Sequence, residues 1–232
     1  MEERKHLVKI ICLSDIHANW NYLSQVIPFI EAEKAEKLFF LGDAIGYYDE
    51  PDKVINWLRV NNVQCIKGNH EQYFLNELQY ESKREDIYRV RDNQEHISSV
   101  NKAFINTWMD KLELVIEGKK FLLMHGEEEN SEKYVYQCSN LNEELLKEYD
   151  YYVYGHTHIP LVQYHYGCCV INPGSIGQPR DYTTKPSYVV VDLERSEVVI
   201  KKFSVDVKSY TQHLQDHDYC EKVVNILTRQ YK

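Results

Sequence analysis

The sequence predicts an α/β protein. The first observation behind this is a pattern that recurs five times: a short apolar run, rich in β-branched or aromatic residues, stops at glycine or at polar residues of metal-ligand type. VKIICLS runs into Asp15 and His17, KLFFL into Gly42-Asp43, and VQCIK into Gly68-Asn69-His70. KFLLM runs into His125-Gly126, and YYVY into Gly155-His156-Thr157-His158. Their shortness, composition and glycine stops mark these runs as strands. The second observation is helical periodicity between the early strands. Trp20, Leu23, Val26, Ile27 and Ile30 recur at helical spacing, with Pro28 expected to kink or break the helix. Pro51 stands where a helix begins, ahead of Val54, Ile55, Trp57 and Leu58 on one face. Strand-helix-strand units imply a parallel sheet with right-handed crossovers, and function gathers at the carboxyl ends of such strands.

From Glu71 to about Leu114 (residues 71–114) the chain turns to charged helical sequence, which reads as a helical cap inserted over the sheet edge. A further helix, LNEELLKEY, precedes the Tyr151 strand. After Ile171 the character becomes all-β: SYVVVDLERSEVVIKKFSV reads as two strands joined by a turn at Glu194 to Ser196, and a second sheet is expected there. The tail from Tyr210 to Lys232 carries an amphipathic helix with Val223, Val224, Ile226 and Leu227 on its apolar side. The C-terminal strands and helix span about 187–232. With no linker and no repeat, residues 1–232 read as a single domain.

A formal charge of −9 argues against long nucleic acid or an anionic membrane as partner, so an anionic substrate would need a local positive site. No apolar run is long enough to span a bilayer, and the start MEERKHLVKIICLSD lacks a secretory pattern, so a cytoplasmic location is expected. The six cysteines then read as reduced thiols. Cys12, Cys65, Cys168 and Cys169 lie in apolar runs and read as core packing, the adjacent last pair pointing to opposite faces of a strand.

Eight polar residues collect at the five strand ends: Asp15, His17, Asp43, Asn69, His70, His125, His156 and His158. Nitrogen and oxygen donors without thiolate suit Mn2+, Fe2+, Zn2+, Co2+ or Ni2+, and eight donors exceed what one ion takes. Two divalent ions sharing a carboxylate is the economical reading. Such a pair clamps phosphoryl groups and activates water, and its charge would draw a phosphate anion despite the acidic surface.

The motifs SDIHAN, GDAIGY, GNHE, MHG and GHTH, in this order, resemble the calcineurin-like metallophosphoesterase superfamily. INPGSIGQPRD and the GYYDEP continuation resemble its compact prokaryotic phosphodiesterase-type branch. The resemblance runs from about Ile10 to Asp192. It implies a sandwich of two mixed β-sheets flanked by helices, with a binuclear metal centre, Mn2+ first among the candidate ions. It also implies Asp15, His17 and His158 on the first metal and Asn69, His125 and His156 on the second, with Asp43 bridging and Thr157 a spacer between the divided histidines. The chemistry implied is in-line attack by a bridging hydroxide on a small phosphodiester or phosphomonoester. His70 would stabilise or protonate the leaving oxygen, the alternative for it being to orient Asn69 or a water.

Other functions stay open: a nucleotide or diadenosine polyphosphate hydrolase, a protein phosphatase, or a non-catalytic metal-binding scaffold. A homo-oligomer is compatible with the sequence. Arg180 reads either as a phosphate contact or as a structural partner of Asp181 or a carbonyl. Asn19 reads either as a donor to a phosphoryl oxygen or as a helix cap. Tyr149, Tyr151, Tyr152 and Tyr154 read as core and cross-strand packing. His6, His96, His165, His213 and His217 have no motif and are expected in solvent. Two departures from the family pattern stand out: Tyr48 after the GDAIGY segment, expected to reshape the approach to Asp43, and the run Glu127-Glu128-Glu129, expected to face solvent.

Overall fold

A computed structural model describes residues 8–128 and 130–229. Strand β1 (Lys9–Leu13) leads through α1 (Trp20–Ala32) to β2 (Lys37–Phe40), and through α2 (Pro51–Val60) to the two-residue β3 (Gln64–Cys65). The three are parallel, in the order β1-β2-β3. Helix α1 runs unbroken through Pro28, which lies on its exposed face, where loss of one N–H is tolerated. Four short helices follow: α3 (Asn69–Phe74), α4 (Glu85–Tyr88), α5 (Val90–His96) and α6 (Ser99–Ile105). The helical stretch ends earlier than its charge pattern indicated, because Lys111–Ile116 form strand β4, whose alternate residues are exposed.

Strands β5 (Lys119–Met124) and β6 (Tyr151–Tyr154), with α7 (Glu143–Lys147) between them, pair in parallel. Strands β7 (Leu161–His165) and β8 (Cys168–Asn172) complete a sheet of order β4-β5-β6-β8-β7. The five ligand-ending strands are therefore divided between two sheets. The hairpin β9 (Ser187–Asp192) and β10 (Glu197–Lys202) does not found a second sheet. It extends the first, β9 pairing antiparallel with β1 in the order β10-β9-β1-β2-β3. Both sheets are mixed and flanked by helices. The tail forms two helices, α8 (Val207–Asp216) and α9 (Glu221–Thr228), Val223, Val224 and Leu227 being buried and Ile226 half-buried.

Period-two alternation explains the layers. Ile10, Cys12, Phe39 and Leu41 from the first sheet meet Phe121, Leu123, Val153 and Ile171 from the second. Their sequence neighbours Ile11, Leu13 and Phe40 face α1 and α2, while Leu122, Tyr152 and Tyr154 face α7. Tyr151 stacks on Phe121 at 4.4 Å, and Cys168 and Cys169 fall on opposite faces of β8.

Tyr48 is fully buried. It packs with Tyr22, Tyr210 and Val223 rather than over Asp43, its ring 5.7 Å from that of Tyr210. Tyr48→Ala is expected to lower the unfolding free energy by about 3–5 kcal/mol, as truncation of a buried aromatic ring does, read as a shift in the urea midpoint.

Candidate metal centre

The turns after the strands carry an unusual backbone. Asp15, His17, Asp43, His156 and His158 have φ of 53°, 52°, 61°, 65° and 59°. Left-handed conformations at non-glycine residues cost on the order of 1–3 kcal/mol each and persist only where neighbours over-determine them. Here they do. Asp15 N–H donates to Gly42 O at 3.0 Å, His17 N–H to Asp43 O at 2.9 Å, and Gly155 N–H to His125 O at 2.9 Å. The Ser175 hydroxyl donates to Asp15 O, and the Asn172 amide to Gly155 O, both at 2.7 Å. Gly155 is required by close approach, since a methyl there would strike the Ser14 side chain and the Asp15 carboxylate.

A buried carboxylate ties two of these turns together. Glu71 accepts N–H bonds from Asp43 (2.7 Å), Ala44 (2.8 Å), Ile45 (3.4 Å) and Gly68 (2.8 Å). The same turn of chain is locked once more, because His70 N–H donates to Asp43 Oδ1 at 3.0 Å. Thr157 is more than a spacer: its hydroxyl accepts from Asn172 Nδ2 at 3.1 Å and from Ile159 N–H at 3.2 Å.

The held side chains converge. His158 Nε2 lies 3.2 Å from Asp15 Oδ1 and 3.1 Å from His17 Nε2, which is 3.7 Å from Asp43 Oδ2. His125 Nε2 lies 3.3 Å from the same Asp43 oxygen and 3.2 Å from Asn69 Oδ1. His70 Nε2 approaches Asp43 Oδ2 to 4.0 Å. Three groups of ligand atoms close enough to hold an ion result: Asp15, His17 and His158; Asp43, His125 and His156; and His17, Asp43 and His70. The adjacent histidines of GHTH thus fall into different groups, and Asp43 belongs to two. His17, Asp43, Asn69, His70, His156 and His158 line a cavity of about 10 Å³, room for roughly one water.

The donor chemistry fits cations. His17, His125 and His158 each direct Nδ1 to a backbone carbonyl, at 3.1 Å (Ile45), 2.6 Å (Leu41) and 2.7 Å (Gln178). A carbonyl there fixes a proton on Nδ1 and, in the rings of His17 and His158 that burial keeps neutral, leaves Nε2 a lone pair aimed inward. His17 and His158 then present lone pairs to each other, which is repulsive without a cation beside them. Asp15 Oδ1 and His156 Nδ1 are buried with no hydrogen-bond partner, His156 having turned Nε2 to Glu132 O at 3.0 Å. Charges follow the same logic. Burial would raise Asp15 and Asp43, yet the surrounding imidazoles, His158 foremost for Asp15 and His125 for Asp43, hold both below the carboxylate range. Burial would lower His125, but the Asp43 charge carries it up to about 9. Burial pushes His156 down to about 3 and His70 to about 4.

Of the remaining sequence candidates, Arg180 lines this cavity and Asn19 does not. Arg180 donates to neutral oxygens: Gln178 Oε1 at 2.6 Å and the Tyr47 and Tyr134 hydroxyls at 3.3 Å each. It makes no ion pair among the described residues, since Asp181 is paired with Lys202 instead. Asn19 is spent on structure, its Oδ1 capping α1 at Tyr22 N–H (3.0 Å) and its Nδ2 donating to Gly177 O (2.7 Å), so the reading of Asn19 as a substrate contact is replaced by the helix cap. Glu128 is exposed, Glu127 is half-buried beside Lys133, and Glu129 and His6 lie outside the described residues. His96 and His217 are exposed, but His165 and His213 are half-buried, and His213 Nε2 lies 2.7 Å from Asp49 Oδ2.

The model of the calcineurin-like phosphoesterase superfamily domain matches residues 8–196. The chain belongs to that superfamily. Its members depend on divalent metals, in keeping with the His and Asp groups above. An uncharacterised protein of Methanocaldococcus jannaschii is 29% identical over 216 residues, covering 86% of this chain and 88% of that protein. Among solved structures, a hypothetical protein of Pyrococcus horikoshii superposes with a TM-score of 0.84 and a metallophosphoesterase of Sphaerobacter thermophilus with 0.77. Each is 20% identical and covers 97% of this chain and 100% of its own, a likeness of fold.

In this member of the superfamily the strand-end motifs do not reveal every residue at the cavity. Tyr47 stacks on His70 at 5.2 Å, Tyr88 of α4 lies 4.9 Å from His70, and Tyr134 stacks on His156 at 4.1 Å. Only Tyr47 lies within one of those motifs, GDAIGY, and Glu71 is the last letter of GNHE. Glu71→Gln, which turns an amide N–H toward backbone donors, is expected to cost about 2–3 kcal/mol of stability, on the scale of a hydrogen bond to a charged group, and to weaken Mn2+ binding in titration calorimetry.

Proposed function

We propose that the chain is a metal-dependent hydrolase of a small phosphodiester or phosphomonoester, with a binuclear centre. The observation that carries this is the convergence of seven buried donors, Asp43 shared among them, beside His70 and an arginine that has no acidic partner among the described residues. Asp15, His17 and His158 would hold one ion and Asn69, His125 and His156 the other, with Asp43 bridging. The donor set suits Mn2+, with Fe2+, Zn2+, Co2+ and Ni2+ as alternatives. The ions, when bound, would polarise phosphoryl oxygens and lower the pKa of water.

The remaining work falls to this chain's residues. Arg180's 3.3 Å bonds to the tyrosine hydroxyls are long, so an arriving phosphoryl oxygen replaces them with shorter charge-assisted bonds. Water gives up one proton to solvent and attacks phosphorus in line with the leaving oxygen, which takes a proton from solvent after the P–O bond breaks. His70, held neutral at pH 7 by burial, turns its N–H to the leaving oxygen as the P–O bond breaks and charge develops there. Tyr47 and Tyr88 pack against His70 and keep bulk water off that face. Six free thiols fit a reducing compartment such as the cytoplasm. Among the described residues no helix is long and apolar enough to cross a membrane.

The test is hydrolysis of bis- and mono-p-nitrophenyl phosphate by the Mn2+-loaded protein. His70→Ala is expected to lower kcat by roughly 10²–10⁴ with metal content retained, the usual scale of acid-base assistance. Asp43→Asn is expected to lose both metal and activity. No hydrolysis, or hydrolysis indifferent to both substitutions, refutes the reading.

A further inference from the structure

The chain between β5 and α7 carries aromatic rings out of the candidate centre. The Tyr134 ring stacks on His156 at 4.1 Å, and the Tyr136 ring stacks on Tyr134 at 5.5 Å with an interplanar angle of 8°. The result is a three-ring column from a buried imidazole to the surface, where Tyr134 is 39% and Tyr136 57% exposed. Core packing does not account for it, because its outer member leaves most of its ring to solvent.

The surroundings of the column are cationic, which is notable in a chain of charge −9. The Arg180 guanidinium donates to the Tyr134 hydroxyl at 3.3 Å. Arg229 donates to Arg180 O at 3.3 Å, lies over the Tyr182 ring at 4.8 Å, and keeps a buried Nε without a hydrogen-bond partner. An open aromatic face beside two cations, leading inward to Arg180 and the donor groups, asks for a ligand that is planar and aromatic at one end and anionic at the other. A nucleotide has that form. Base-aromatic stacking tolerates any base because each presents a π face, and arginines serve the phosphates.

We propose that Tyr136, backed by Tyr134, is a stacking platform for the base of a nucleotide whose phosphate ester enters the candidate centre past Arg180. The inference rests on the phosphoesterase reading and names its substrate class. Tyr136 stands two ring spacings from His156, on the scale of a sugar with one or two phosphates, so the base and the reacting phosphorus are held by different parts of the same rim. Specificity then resides in the loop, and the reaction at the strand ends.

Titration calorimetry of the Mn2+-loaded protein tests this with two hydrolysis-resistant phosphonates, in which a methylene replaces the ester oxygen of adenosine 5′-monophosphate and of ribose 5-phosphate. The adenosine analogue is expected to bind about tenfold more tightly or better, the scale of one base-aromatic stack. Tyr136→Ala should abolish that preference, Tyr136→Phe should keep it, and the ribose analogue should bind all three proteins alike. Equal affinities in the wild type, a preference that survives Tyr136→Ala, or no binding of either analogue overturns the platform. If hydrolysis of bis-p-nitrophenyl phosphate persists in that case, the phosphoesterase reading stands; if it is also absent, both fall.

Discussion

The Glu71 carboxylate is the contact on which the candidate centre depends. It stands at the start of α3, fully buried, and gathers N–H groups from Gly68 behind β3 and from Asp43, Ala44 and Ile45 behind β2. Asp43, once fixed, holds two further turns: its carbonyl takes the His17 N–H and its carboxylate takes the His70 N–H. Burial, with the Asp43 charge, pushes Glu71 up to about 7 against the N–H bonds that favour its ionised form; hydrogen bonds to that form contribute about 1.5–3 kcal/mol each, the same scale as the cost of a left-handed non-glycine residue. One acid therefore offsets much of the strain that aims Asp43 and His17 inward.

The strained turns serve a concentration of buried lone pairs. Asp15 Oδ1 and His156 Nδ1 lack partners, and two imidazole nitrogens face each other at 3.1 Å. Buried acceptors left unmatched are costly, and evolution of a stable core would remove them. Their persistence makes sense when divalent cations complete them. Around this polar knot the aromatic shell of Tyr47, Tyr88 and Tyr134 narrows the cavity and gives it a dry wall.

The donors were legible because each follows a strand directly, and residue type at a strand end survives any error in tertiary pairing. Which strands pair is a different matter. SYVVVD looks the same whether it founds a sheet or adds to one, and only contact with β1 decides. Tyr47 and Tyr48 are indistinguishable by chemistry. The left-handed φ of 63° at Tyr47 turns its ring over His70, while Tyr48 is left to the C-terminal helices. Asn19 reads as a helix cap or as a donor to a phosphoryl oxygen from the sequence, and only the fold brings Gly177 O, 158 residues away, to one of its amide protons. Tyr134 and Tyr136 sit in a loop with no period, so nothing local announced them.

Anomalous difference density from crystals grown with Mn2+ tests the central claim directly. Two peaks are predicted, one bounded by Asp15, His17 and His158 and the other by Asn69, His125 and His156, with Asp43 touching both. A single peak, no peak, or both imidazoles of His156 and His158 on one ion would contradict the account.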